Sequence, residues 1–147
     1  MADQKTIQFE IVTPERELLK EQVIQVTVPT KSGEITVLPN HIPLVSVLVP
    51  GVIEVKLANG NYEVMSVSGG FIEVLKDKVV ILADTAERAE EIDISRAEEA
   101  KQRAEKTREN LERFDQEQFA DIAAKISKEL ARTRAANRWR KLRENIK

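Results

Sequence analysis

The residues able to do covalent or acid–base chemistry in this chain are few and scattered. His41 is the sole histidine and lies in the run Pro39-Asn40-His41-Ile42-Pro43. A general base needs an imidazole held beside the proton it moves and a partner that orients the ring. Two flanking prolines instead describe a rigid loop, and His41 reads as a residue that packs it. Ser68-Gly69-Gly70 has the composition of a phosphate cradle, yet a strand follows it and the P-loop lysine is missing. That run reads as a bulge or a close backbone approach. There is no cysteine, which excludes disulfides, thiol catalysis and cysteine-ligated metals and fits a reducing compartment. No carboxylate pair, triad or metal cluster assembles from the remainder. The chain is expected not to be an enzyme by itself.

Charge is the other candidate chemistry. With 23 basic and 25 acidic residues in 147 the net charge is −2, so no global pull toward nucleic acid or anionic lipid is expected. The balance hides an asymmetry. Glu87 to Glu117 is mostly acidic, whereas Arg132, Arg134, Arg138, Arg140, Lys141, Arg143 and Lys147 at the far end face only Glu144. Three readings stand side by side. The end is a solvated helix terminus whose cations suit the dipole, a docking surface for an acidic partner, or a nucleic-acid contact. For the last, only Trp139 is interleaved for stacking.

These residues are positioned by two kinds of structure, which meet at Ala83-Asp84-Thr85-Ala86-Glu87 running into Ile92-Asp93-Ile94-Ser95-Arg96-Ala97. Gly and Pro, the strongest local breakers, vanish after Gly70. Before the seam, Ile7 to Ile11 alternates, Thr13-Pro14 ends that strand, and Val23 to Val28 is closed by Pro29. Ile35 to Leu38 follows the turn at Lys31-Ser32-Gly33. Leu44 to Val49 is a nearly continuous apolar run, expected to be covered on both faces. Ile53, Val55 and Leu57 line one face of the next strand, Asn59-Gly60 predicts a type I′ hairpin turn, and Tyr62 to Val67 returns. Phe71 to Leu75 and Val79 to Ala83 pair around Lys76-Asp77-Lys78. Short strands at this spacing predict an antiparallel β-sandwich or flattened barrel.

Past the seam the period is helical. Ala97, Ala100, Ala104, Thr107, Leu111 and Phe114 form one narrow face, and Phe119, Ile122, Ala123, Ile126 and Leu130 a second. Asp93 or Ser95 can cap the first helix. The least periodic stretch, Arg113 to Glu117, is the expected turn of a helical hairpin, although one continuous helix is also permitted. Alanine-lined seams bury little area, which marks the hairpin as a movable element. The division is residues 1–86, a sandwich, and 87–147, a helical unit. No apolar run approaches a membrane span, and the start lacks a signal peptide's apolar core. The chain reads as soluble and cytoplasmic.

Gly33-Glu34-Ile35-Thr36-Val37-Leu38-Pro39-Asn40-His41-Ile42-Pro43-Leu44 resembles the signature loop of the epsilon subunit of bacterial and chloroplast F-type ATP synthases. Ser68 to Val74, Val80 to Asp84 and Ile92 to Ala97 resemble its later motifs, in family order. The resemblance implies a noncatalytic rotor subunit that binds gamma, sits on the c-ring and couples proton-driven rotation to ATP synthesis. It implies contact with the c-ring near Glu34 and His41. It implies helices that reach the alpha and beta subunits and inhibit ATP hydrolysis, with Arg132, Arg138, Arg140, Lys141 and Arg143 meeting an acidic segment of beta. No cofactor is required. ATP as a regulatory ligand is implied at Glu87, Asp93, Arg96, Ala97, Arg134 and Arg138, which makes an ATP-sensing module the alternative function; a nucleic-acid-binding adaptor is a third. The implied place is peripheral, on the cytoplasmic face of a bacterial cell membrane or, alternatively, the stromal face of the thylakoid. The membrane is met only through the complex. Thr36 stands where many members carry glycine, and the stretch between Ala97 and Arg134 is longer than usual.

Overall fold

The computed structural model describes residues 3–110 and 116–146. Nine strands come first: β1 (Ile7–Val12), β2 (Glu17–Thr30), β3 (Gly33–Val37), β4 (Leu44–Leu48), β5 (Gly51–Leu57), β6 (Tyr62–Val67), β7 (Gly70–Val74), β8 (Lys78–Ala83) and β9 (Ala86–Arg88). A 3-10 turn at Ala89–Glu91 leads to two helices, α1 (Ile94–Asn110) and α2 (Gln116–Ile146). The expected sandwich and helical pair are therefore both present. The expected turn at Arg113 to Glu117 lies mostly outside the described residues, with Gln116 and Glu117 opening α2.

The strands pair in the order β1-β8-β7-β4-β2-β5-β6-β9, with β3 on β2 and β1 also paired to β2. The sheet thus folds back on itself as a flattened barrel. One pairing departs from the antiparallel expectation, because β1 and β8 run parallel from Gln8↔Lys78 to Val12↔Leu82. Strand β2 is longer than the Val23–Val28 reading. Its first half, with exposed Glu17, Lys20, Glu21 and Gln22, pairs with β1, and its second half pairs with β3 and β5. Nor does Pro29 close it. A proline lacks only the N–H, and the Pro29 carbonyl accepts from Val49 N at 3.1 Å. A register shift between Val23 and Gln25 brings Val23 onto the same buried side as Val26 and Val28.

The core lies between the two halves of the folded sheet. Ile7, Phe9 and Ile11 of β1 meet Val23, Val26, Ile53, Val55, Met65, Ile72, Val79 and Ile81, all essentially fully buried. Alternate residues face out, the geometry of a pleated strand. Strand β4 obeys that alternation too, which corrects the two-sided expectation: Val45 is 71% and Val47 46% exposed. Two turns are informative. Asn59-Gly60 makes no type I′ turn, because Asn59 is not at positive φ. Gly60 N donates to Leu57 O at 2.9 Å and Leu57 N to Asn61 O at 2.8 Å, so the loop is Ala58-Asn59 closed by Gly60 at φ 89° as a bulge. Gly70, at φ 138°, would carry a Cβ 2.8 Å from the Ala83 Cα, the close approach expected there.

A second, smaller core joins α2 to the barrel. Ala135 and Ala136, with half-buried Trp139 and Leu142, pack on Val52 and Val64 of β5 and β6 and on Ala89 and Ile92. Between the helices Ala97 and Ile122 are buried and Ala100, Ala104, Phe119, Ile126 and Leu130 partly so. Ala123 and Thr107, assigned to the helical seams by spacing, are exposed, so the seams are narrower than their periodicity. Leu111 and Phe114 lie outside the described residues.

Candidate functional site

The outer face of β5 and β6, flanked by β9 on one side and by β2 and β3 on the other, is the floor on which α2 rests. Strand pairing aligns Glu34 with Pro29, Thr27 with Glu54 and Ser66 with Glu87, which spreads three carboxylates across that floor. Helix α2 brings arginines down on them. Arg138 donates from Nε to Glu54 Oε2 at 2.8 Å and from Nη2 to Glu54 Oε1 at 3.0 Å. Arg132 donates from Nε and Nη2 to the two oxygens of Glu87 at 2.6 and 3.2 Å, and from Nη1 to Glu129 at 2.8 Å. Each is a two-point fork on a carboxylate, the stronger form of an ion pair. The hydrogen bonds to Glu54 raise the Arg138 pKa above the ordinary arginine value, outweighing its burial. Burial opposes the Arg132 charge, but its bonds to Glu87 and Glu129 outweigh it and raise that pKa too. Arg88, bonded to Glu63 at 2.9 Å, is raised in the same way and fixes β9 to β6.

The six residues expected at a nucleotide site do not gather in one cleft. Asp93 accepts from Arg96 N at 3.2 Å and so caps α1. The Arg96 side chain is 84% exposed, 3.9 Å from Asp93, and Ala97 is buried. Glu87 and Arg138 are occupied by Arg132 and Glu54. Arg134 lines two clefts, each of about 350 Å³. One lies between the helices with Glu98, Lys101, Gln102, Leu130 and Thr133, and the other over the floor with Thr27, Glu34, Val52, Glu54 and Arg138. Phosphates are best met by uncommitted cations facing one point; in this arrangement Arg138 is spent on Glu54, and Arg96 lines neither of the clefts that Arg134 lines.

The remaining expected residues separate into two places. Glu34 lies in the wall of the floor cleft beside Arg134 and Arg138. His41 follows on the loop beyond β3, where Pro39 and Asn40 (φ 65°) make a type II turn closed by His41 N on Leu38 O at 3.1 Å. Its Nδ1 lies 2.6 Å from the Ile42 carbonyl, so that nitrogen carries the proton. Toward the chain end Arg140 donates to Asn137 at 3.2 Å, Arg143 lies 5.9 Å from the Trp139 ring centre, and Lys141 is exposed. The basic end therefore faces more than Glu144: Glu54 and Glu87 meet it from the barrel.

Sequence reasoning missed two features. Glu54 and Glu129 are carboxylates among many, and only the fold sets them against α2. The other is an apolar strip on the barrel's second outer face. Val47, Phe71 and Leu82 are neighbours across β4, β7 and β8, with Val45 beside them. Phe71 is 54% and Leu82 57% exposed. The apolar run of β4 was the available signal. Among the described residues no group of three or more His, Asp or Glu side chains is placed to hold a metal, and no helix is long and apolar enough to cross a membrane.

Comparison with known proteins agrees with this geometry. The family profile "ATP synthase, Delta/Epsilon chain, beta-sandwich domain" matches residues 6–89. The chain is 45% identical over 130 residues to an ATP synthase epsilon chain of Chloroflexus aggregans, covering 88% of this chain and 91% of that one. This chain belongs to the ATP synthase epsilon chain family. It is also 50% identical over 101 residues to the epsilon chain of Solibacter usitatus, 69% of this chain and 75% of that one. A solved chain in the Euglena gracilis mitochondrial ATP synthase assembly of OSCP, F1 and c-ring superposes with a TM-score of 0.76 at 26% identity, over 86% of this chain and 78% of that one.

Proposed function

We propose that this chain is a noncatalytic rotor subunit of the central stalk of an F-type ATP synthase, in which residues 1–86 are the mount and residues 87–147 a brake on ATP hydrolysis. The observation that carries the reading is the unequal treatment of the barrel's two outer faces. One is covered by the chain's own helix, held by Arg132 and Arg138. The other presents Val45, Val47, Phe71 and Leu82 uncovered, an apolar strip of the kind that marks a protein partner. Gamma is the partner assigned to that strip, and the loop carrying His41, together with Glu34 at the other end of β3, is assigned to the c-ring. Arg140, Lys141 and Arg143, which among the described residues make no ion pair with the barrel's carboxylates, are assigned to an acidic surface on beta, joined by Arg132 and Arg138 when the helices leave the barrel. Rotation is coupled to ATP synthesis through the mount. The subunit is peripheral, on the cytoplasmic face of the membrane, and reaches the bilayer only through the complex.

The test is the ATPase activity of a complex lacking this subunit, titrated with the full chain and with a version ending at Glu91, which keeps β9 paired to β6. Inhibition by the full chain alone is expected. Binding of both without inhibition by either would make the chain a coupling spacer and remove the brake.

A further inference from the structure

We propose that Glu54 and Glu87 are an internal decoy: they occupy Arg138 and Arg132 while the helices lie on the barrel, hold them there, and compete with any external acidic surface for the same guanidinium groups. What the released arginines meet rests on the brake reading above; the latch itself does not.

The geometry makes the two engagements compete for one edge of each guanidinium. Arg138 spends its Nε–Nη2 edge on both oxygens of Glu54, and Arg132 spends the same edge on Glu87 and its remaining nitrogen on Glu129. A guanidinium offers five donors in one plane, so a second carboxylate takes the Nε–Nη2 edge only after the first has let go; Arg132 also has its third nitrogen on Glu129, whereas Arg138 keeps its Nη1–Nη2 edge. The acceptors are held still. Glu54 projects from β5 opposite Thr27, and Glu87 from β9 opposite Ser66. The donors sit six positions apart on one helix, about 9 Å along its axis. Between them lie Ala135 and Ala136. Alanines bury little area, so beside the packing of Trp139 and Leu142 the two ion pairs add to what keeps α2 down.

The rest of the basic end is differently placed. Among the described residues Arg134, Arg140, Lys141 and Arg143 make no ion pair. An acidic surface can therefore meet these cations first, and it gains the Nε–Nη2 edges of Arg132 and Arg138 only by displacing Glu87 and Glu54. Docking and opening become one equilibrium, set by carboxylates within the chain.

The experiment uses the full chain with Lys20→Cys and Glu144→Cys as the label sites, a clean pair because the natural sequence has no cysteine. Energy transfer between the labels reports opening, and poly-L-glutamate is the acidic probe. Glu54→Gln and Glu87→Gln are each expected to raise the open-to-closed ratio about fivefold, and together about 25-fold. Because apparent affinity scales with the competent fraction, poly-L-glutamate binding should tighten by a similar factor while the open form is rare. Unchanged energy transfer in the double variant overturns the latch. Opening without tighter poly-L-glutamate binding overturns the competition. The charge swap Glu54→Arg with Arg138→Glu supplies a second check: Glu54→Arg alone opens the helices and the swap closes them again, and failure to close also counts against the latch. If the wild-type chain does not inhibit a complex, the brake reading falls while the latch, measured on the isolated chain, stands.

Discussion

Replacing Phe71 and Leu82 together by serine is expected to weaken docking on gamma by about 10²–10³-fold while leaving the barrel folded. The two side chains are direct cross-strand neighbours on β7 and β8, each with about half its surface exposed. The exposed half of a phenylalanine is roughly 100 Å², and that of a leucine somewhat less. At about 25 cal/mol per Å², covering both is worth about 4–5 kcal/mol. Serine keeps the Cβ, and docking costs side-chain freedom, which leaves about 3–4 kcal/mol, or the stated change in Kd. The fold is protected because the inward residues of the same strands, Ile72 and Ile81, are fully buried and untouched. The assay is calorimetric titration of the full-length variant into purified gamma. Thermal unfolding serves as the control, with a melting shift of under about 5 °C expected. A Kd within about threefold of wild type, with the fold intact, would refute the assignment of this face to the partner.

Gly70→Ala and Gly60→Ala separate sterics from backbone strain. Both sit at positive φ, but Gly60 has open space and Gly70 has the β8 backbone against it; thermal melts should show losses of about 1 kcal/mol at Gly60 and about 3 or more at Gly70, and equal losses would mean that the strands part at no cost. Asp93→Ala removes the α1 cap and should cost about 1 kcal/mol, seen as faster amide exchange in the first turn. Calorimetry at millimolar ATP is expected to give no binding heat, with Arg96→Ala as the control; heat that vanishes in Arg96→Ala would show that the expected nucleotide residues converge after all. The pH dependence has a definite sign. Arg132 and Arg138 have raised pKa values, so their contribution is complete below the unfolded arginine value and is lost only as pH climbs through the folded one. Label-reported closure should therefore be flat between about pH 6 and pH 9, and a midpoint within that window would require a different titrating group.

The inward-facing residues were legible where a barrel strand alternates, as β1 and β7 do: Ile7, Phe9 and Ile11, or Ile72 and Val74, read as one buried side. The first half of β2 was not, since its exposed positions are charged or polar and its partner β1 already has an edge on β8. The apolar run of β4 misleads for a physical reason: Val45 and Val47 are apolar yet lie on the outer face, and the sequence of a single chain does not distinguish a core face from an uncovered one. At the helices, Asp93 as a cap follows from local chemistry. The fates of Glu87 and Arg138 do not, because their partners Arg132 and Glu54 lie 45 and 84 positions away. The arginines announce that an acid is needed, and only the register of β5 and β9 decides which one.

The parallel contact of β1 with β8 also sets an order of events during synthesis. The first strand made finds one neighbour early, in β2, but its other edge must wait for residues 78–82 to emerge. Until then the barrel is an open sheet whose inner face has no second wall, and closure is a late, long-range step. The helices leave the ribosome after that closure becomes possible, so α2 arrives at a finished floor with Glu54 and Glu87 already in register. A nascent chain halted near residue 75 would hold most of the strands but not the barrel, and its uncovered β1 edge would be open to pairing with another chain.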